Sequence, residues 1–284
     1  MTTVGTPIWI DLDTTDLQGA QDFYRELFGW TFEPFGGEGS PYLMIRQDGG
    51  YVGGMEDVSG KTRAREDSAA LQESAARKES DSSAAYSDIG EPQPTPDRWN
   101  VFLQVDDIHA RMDLARSAGA TVLVEPGEAG SAGIAGAVVD PSGASVALWQ
   151  PGDIASFDVT GRPGTPVWFE LMTLDFEASD GFYSKVFDFD LHQMPGEGMR
   201  YATNGAQQSA TSGICEANEW VPEDVGSYWR VYLAVEDCDA SAAQIQELGG
   251  SLLDGPMDSP FGRLATVADP NGATFQIIQP PARG

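Results

Sequence analysis

Histidine and cysteine are almost missing from this chain, with two of each in 284 residues. Imidazole is the one side chain that titrates near neutrality unaided and the commonest metal ligand, so its scarcity narrows both base and metal chemistry. His109 falls at the start of an expected surface helix and His192 just beyond another, and both read as solvated or structural. Cys215 and Cys238 are too few for a disulfide framework and lack a C-x-x-C spacing, so both read as structural thiols. Lysine is scarce too. Only three of the 16 cations are lysines, set against 44 acidic residues, and the formal charge of −28 repels phosphate backbones and anionic membranes. Neither nucleic acid nor membrane is an expected partner. No apolar run approaches the ~18 residues of a membrane span, and the start lacks the pattern of a secretory signal, so a cytoplasmic location is expected. No G-x-G-x-x-G follows a strand, no G-K-S/T loop occurs, and no serine or cysteine sits in a nucleophile elbow with a partner histidine. The glycine-rich "FGGEGSPY" reads as a hairpin-type connection.

What the chain does contain, it contains twice. "PIWIDLDTTDLQGAQDFY" from Pro7 matches "PVWFELMTLDFEASDGFY" from Pro166, an offset of 159 that still holds at Gly54 and Gly213. "WNVFLQVDDIHA" from Trp99 matches "WRVYLAVEDCDA" from Trp229 at an offset of 130. "VVDPSGASVALWQP" then pairs with "VADPNGATFQIIQP" after a one-residue slip. The drop from 159 to 130 places about 29 extra residues in the first copy. At ~150 residues per domain, the length also suggests two domains, 1–152 and 160–284, with an insert at about 56–97. The insert is rich in Ser, Ala and mixed charge and poor in large apolar groups, so it predicts a mobile loop or a short solvated helix over Arg65–Glu79. A lid over a pocket is its sharper reading.

Each copy carries one internal plan. "PIWIDLD" alternates as a half-buried strand, and Ala20, Phe23, Tyr24, Leu27 and Phe28 form a helical face closed near Gly29, with Thr15 and Gln18 as a capping box. Strands follow at Tyr42–Arg46 and Tyr51–Met55. The plan restarts with strand Asn100–Val105, helix Ile108–Ala118, and strands at Thr121–Val124, Gly136–Val139 and Ser145–Gln150. Each copy is thus two β-α-β-β-β units, and the fold class is α+β.

These residues resemble the vicinal oxygen chelate superfamily, which includes glyoxalase I, bleomycin-resistance proteins and extradiol dioxygenases. The carriers are "DLQGAQDFYRELFGW" and "DFEASDGFYSKVFDF", "VDDIHA" and "VEDCDA", and "DPSGASVALWQ" and "DPNGATFQIIQ". The resemblance covers nearly the whole chain outside the insert and looks most like the tandem glyoxalase-like subgroup. It implies two domains, each an open eight-stranded cup around a small-molecule site, packed through a pseudo-twofold in a monomer or homodimer. Metal-using relatives draw ligands from the first, fifth and eighth strands. Those positions fall on Trp9, Val101 and Ala147 in the first copy and on Trp168, Val231 and Gln276 in the second. Only Gln276 has a donor atom, so neither a metal nor another cofactor is expected.

What remains is an aromatic ring and a carboxylate two residues apart on each first strand. Side chains two apart share a face, so Trp9 with Asp11 and Trp168 with Glu170 would floor the two cups. A desolvated carboxylate there suits general acid or base work on a carbonyl or phenol, making Asp11 and Glu170 the catalytic candidates. The alternative is a tryptophan that fills the vacated metal space beside a hydrogen-bonded acid. Trp99, Trp229, Tyr228 and Arg230 could orient a planar ligand, with Gln276 beside it, although core packing explains the tryptophans equally well. Arg230 faces no basic counterpart at Asn100, and Arg263 has none either, an asymmetry that favours the second domain. The leading expectation is a metal-independent lyase, isomerase, dehydratase or cyclase acting on a small carbonyl-bearing or aromatic metabolite. A non-catalytic binding protein of the bleomycin-resistance type and a metal-dependent glyoxalase are the alternatives.

Overall fold

The computed structural model describes residues 3–60, 97–194, 200–219, 221 and 225–281. The helix expected over Arg65–Glu79 and the lid reading lie outside these described residues. The described residues form two sheets of eight strands. The first holds β1 (Pro7–Thr14), β2 (Thr31–Pro34), β3 (Tyr42–Gln47), β4 (Gly50–Asp57), β5 (Arg98–Gln104), β6 (Thr121–Glu128), β7 (Gly133–Val139) and β8 (Ser145–Pro151). Their order is β2-β3-β4-β1-β5-β8-β7-β6. The second holds β9 (Pro166–Thr173), β10 (Leu191–Gln193), β11 (Tyr201–Asn204), β12 (Ser212–Glu216), β13 (Tyr228–Ala234), β14 (Ser251–Ser259), β15 (Gly262–Ala268) and β16 (Thr274–Gln279). It repeats the first order shifted by eight. Helices α1 (Leu17–Phe28), α2 (Ile108–Ser117), α3 (Phe176–Phe187) and α4 (Cys238–Glu247) follow β1, β5, β9 and β13. Each half is therefore a pair of β-α-β-β-β units curled into an open cup.

Local chemistry sets these elements. All four helices open on an aspartate, Asp16, Asp107, Asp175 and Asp237, whose carboxylate accepts backbone N–H groups of the first turn. The capping box expected from Thr15 and Gln18 does not form. Asp16 is the cap, and the Thr15 N–H and hydroxyl go instead to Asp97, a buried carboxylate just before β5 that also takes the Thr14 hydroxyl. On β1, Ile8, Ile10 and Leu12 are fully buried on the face away from the cup, which leaves Trp9, Asp11 and Asp13 facing into it.

The two halves share one continuous apolar core. At the seam, Trp99 Nε1 donates to the Tyr24 hydroxyl (3.1 Å), which donates to Asp269 Oδ2 (3.1 Å). The duplication repeats the arrangement: Trp229 Nε1 donates to the Tyr183 hydroxyl (2.8 Å), and Tyr183 faces Asp140. Arg111 on α2 adds a bond to Asp188 (2.7 Å), and Trp30 Nε1 donates to the Gly164 carbonyl (2.8 Å). The aspartates of the two "DP-G" motifs thus come from the end of one copy and meet the first helix of the other.

Candidate functional site

A cavity of about 420 Å³ opens in the first cup. On its floor, Asp11 Oδ1 accepts two hydrogen bonds, from the Tyr42 hydroxyl (2.6 Å) and from Trp9 Nε1 (2.9 Å), while Trp9 Nε1 also reaches the Tyr42 oxygen (3.1 Å). Among the described residues nothing hydrogen-bonds Oδ2, so that oxygen is the one available to a ligand. Burial pushes the Asp11 carboxyl up to about 7, the Tyr42 bond pulls it down, and the nearby Asp13 and Glu56 charges raise it again. Asp13 pairs with Arg98 (3.4 Å), and Asn100 lies directly across from Asp11 on β5. Gly54 on β4 is what lets the phenol in: a Cβ there would overlap both the Tyr42 hydroxyl and Asp11 Oδ1.

The second cup repeats the plan and finishes it differently. Glu170 Oε2 accepts from the Tyr232 hydroxyl (2.7 Å), the Tyr201 hydroxyl faces the same carboxylate, and Arg230 approaches to 3.8 Å. Trp168 Nε1 stops at the Tyr201 oxygen (3.0 Å) rather than reaching the acid. Arg230 is also held by Tyr228 (2.9 Å). Met172, Cys215, Ala217 and Val221 pack beside Tyr201 and Tyr228 as a small apolar cluster inside this half. Gln276 donates to Thr266 (2.7 Å), and its Oε1 is buried with no partner among the described residues.

Trp9 and Asp11 share the first cup, and Trp168, Glu170, Tyr228, Arg230 and Gln276 share the second. Trp99 and Trp229 do not reach either cup. They alternate with the cup-facing residues of β5 and β13, so their indoles point into the domain seam. Arg263 also points away, to Asp239 and Asp258 on the outer surface. Among the described residues a cavity lines the first cup, whereas the arginine asymmetry of the sequence pointed to the second. Sequence reasoning missed Tyr42 and its duplicate Tyr201, although both obey the 159-residue offset that relates Asp11 to Glu170 and Gly54 to Gly213.

The expected ligand positions on the fifth strands need the same one-residue correction. Val101 and Val231 are buried on the far face, and the residues level with Trp9 and Trp168 are Phe102 and Tyr232. The three positions that converge are therefore Trp9, Phe102 and Ala147 in one cup and Trp168, Tyr232 and Gln276 in the other. An indole, a phenyl and a methyl offer no lone pair to a divalent ion, and in the second cup the phenol is given to Glu170. Among the described residues no group of three or more His, Cys, Asp or Glu could hold a metal. These positions do not fit the ion that the fold family uses.

Comparison with known proteins agrees with the topology. Residues 9–149 match the family described as Glyoxalase-like domain, and residues 165–277 match the Glyoxalase/Bleomycin resistance protein/Dioxygenase superfamily. The chain belongs to that superfamily as a tandem of two such domains. It is 31% identical to a Mycobacterium tuberculosis protein named "Putative glyoxylase CFP32", over 97% of this chain and 95% of that one. It is also 31% identical to the anthracycline biosynthesis protein DnrV of Streptomyces peucetius, over 97% and 93%. Among solved structures, a Mn(II)-bound glyoxalase from Novosphingobium aromaticivorans aligns with a TM-score of 0.59 at 16% identity, covering 98% of this chain and 83% of that one. The 2,2',3-trihydroxybiphenyl 1,2-dioxygenase of Sphingomonas wittichii aligns at 0.58 and 14% identity, covering 98% and 91%. At those identities the shared property is the fold.

Proposed function

We propose that the first cup is the site of a metal-independent acid–base reaction on a small carbonyl-bearing or aromatic metabolite, with Asp11 transferring the proton through Oδ2. The observation that carries this is the asymmetry of the Asp11 carboxyl. Oδ1 accepts from both Tyr42 and Trp9, nothing among the described residues hydrogen-bonds Oδ2, the residue lines the cavity, and burial places the group near neutrality, where an acid or base works best. Its duplicate Glu170 differs in having a cation beside it: Oε2 accepts from the Tyr232 hydroxyl and lies 3.8 Å from Arg230, so we assign Glu170 to holding the second cup together. The names of the relatives, a glyoxylase and an anthracycline biosynthesis protein, support small-molecule chemistry without fixing the reaction.

The test is proton exchange. Chelator-treated protein is incubated in D₂O with a panel of aryl ketones and hydroxyketones, and deuterium uptake next to the carbonyl is followed by NMR. Catalysed exchange should rise with a midpoint near pH 7 and fall by about 10²–10⁴-fold in Asp11→Asn. Exchange that requires added divalent metal would overturn metal independence. Tight binding without exchange, unchanged in Asp11→Asn, would make the chain a sequestering protein of the resistance type.

A further inference from the structure

The internal duplication provides a control for the shape of the cavity. Strands β7 and β8 turn Ala135, Ala137, Ser145 and Ala147 into the first cup. The same strand positions of the second cup, on β15 and β16, carry Leu264, Thr266, Thr274 and Gln276. These four positions are smaller in the first cup, where only Trp149 at the end of β8 is larger than its counterpart Ile278, and Gln276 with Thr266 bridges the space that Ala147 and Ala137 leave empty. The result is a sheet surface stripped almost to its backbone, facing a cavity whose other half contributes Trp9, Phe35 and Tyr42. The strip of Ala135, Ala137 and Ala147, with nothing beyond Cβ, is flat, and aromatic side chains across from it favour stacking on a flat ligand.

Size follows from volume. A cavity of about 150 Å³ holds one benzene ring, whereas this one measures about 420 Å³. That is room for roughly two to three fused rings. The alanine strip offers Ser145 as its polar side chain, whereas Asp11, Asp13, Glu56, Arg98 and Asn100 gather on β1, β4 and β5, so the ligand meets hydrogen-bonding groups mainly at one edge. We infer that the first cup selects a flat ligand of two to three fused rings with a phenolic hydroxyl or ring ketone at the edge that meets Asp11. Ala137 and Ala147 are the residues that set this size. The inference rests on the first cup being the working site.

The probes are dihydroxyanthraquinone and phenol, titrated by quenching of tryptophan fluorescence. The parent should bind the three-ring probe at least about tenfold more tightly than phenol. Ala137→Thr with Ala147→Gln, both borrowed from the second cup, should cost the three-ring probe about tenfold or more through overpacking and leave phenol nearly unchanged. Ala147→Gln alone should act in the same direction, so the test survives misfolding of the double variant. Equal affinity for both probes in the parent, or equal loss of both in the variants, would overturn the assignment. Ring-size selection with no proton exchange would overturn the acid–base reading alone. Proton exchange without ring-size selection would overturn the size assignment alone.

Discussion

At the scale of single residues, the first cup turns on how many donors one carboxyl receives. Tyr42 and Trp9 both hold Asp11 Oδ1, and the Tyr42 bond is the stronger of the two influences that lower its pKa against desolvation. In Tyr42→Phe that bond is lost, and the carboxyl should titrate above 7 by about one unit, read by ¹³C NMR of labelled aspartate. An unchanged or lower value would mean that the phenol does not govern this group. Gly54→Ala tests the same contact from the other side. Its methyl would overlap both the Tyr42 hydroxyl and Asp11 Oδ1, so it should break their bond and raise the carboxyl in the same direction as Tyr42→Phe while leaving the tyrosine in the chain. Asp11 itself was legible because alternation on a strand puts Trp9 and Asp11 on one face. Tyr42 was not, because 31 residues separate it from Asp11 and only the β1–β4–β3 pairing brings them together.

At the scale of elements, the duplicated tryptophans of β5 and β13 show what a strand pattern leaves open. Trp99 and Asn100 are adjacent, so one must face the cup and the other the core, and composition does not say which. The choice is made by Tyr24 on α1, which accepts the Trp99 indole N–H and passes a hydrogen bond to Asp269 of the other copy. Tyr24→Phe removes the middle of this chain and leaves a buried indole and a buried carboxylate oxygen without it. Denaturant unfolding should register a loss of about 1–3 kcal/mol for each orphaned group. Trp99→Phe should cost less, since only the indole bond and part of the packing are removed. A neutral Tyr24→Phe would show that the seam is held by apolar burial alone. The helices themselves were readable from their apolar spacing, although the first cap was misplaced by one residue because Asp97 competes for Thr15.

At the scale of the whole molecule, charge and buried acids act in the same direction. The formal charge of −28 makes the compact state repel itself, so salt should raise the melting temperature until surface charges are screened. Beside Asp140, which burial also raises, two buried carboxyls add a part that salt does not reach: Asp11 is raised to about 7 and Asp269, desolvated at the seam, to about 6. Both keep a proton in the folded state where the unfolded chain has released it. Their contribution to stability is therefore full below the ordinary aspartate range and is lost as pH rises through about 6 to 7. Melting temperature at high salt should fall between pH 5 and 8, and Asp11→Asn should flatten part of that slope. A profile that is already flat at high salt would place both carboxyls near their unfolded values.

The sequence by itself determined the duplication, the β-α-β-β-β plan of each copy though not the place of β2, and the loss of ligating groups from the first and eighth strands of the first copy. Those are matters of local periodicity and residue type, which survive without coordinates. Only the tertiary structure decided which face of β5 meets the cup, that Tyr42 and Trp9 share one oxygen of Asp11 while Arg230 stands beside Glu170, and that among the described residues a cavity lines the first cup. Each of these depends on contacts between segments far apart in the chain, and the difference between the two cups comes down to a few side chains whose sizes matter only once the strands are paired.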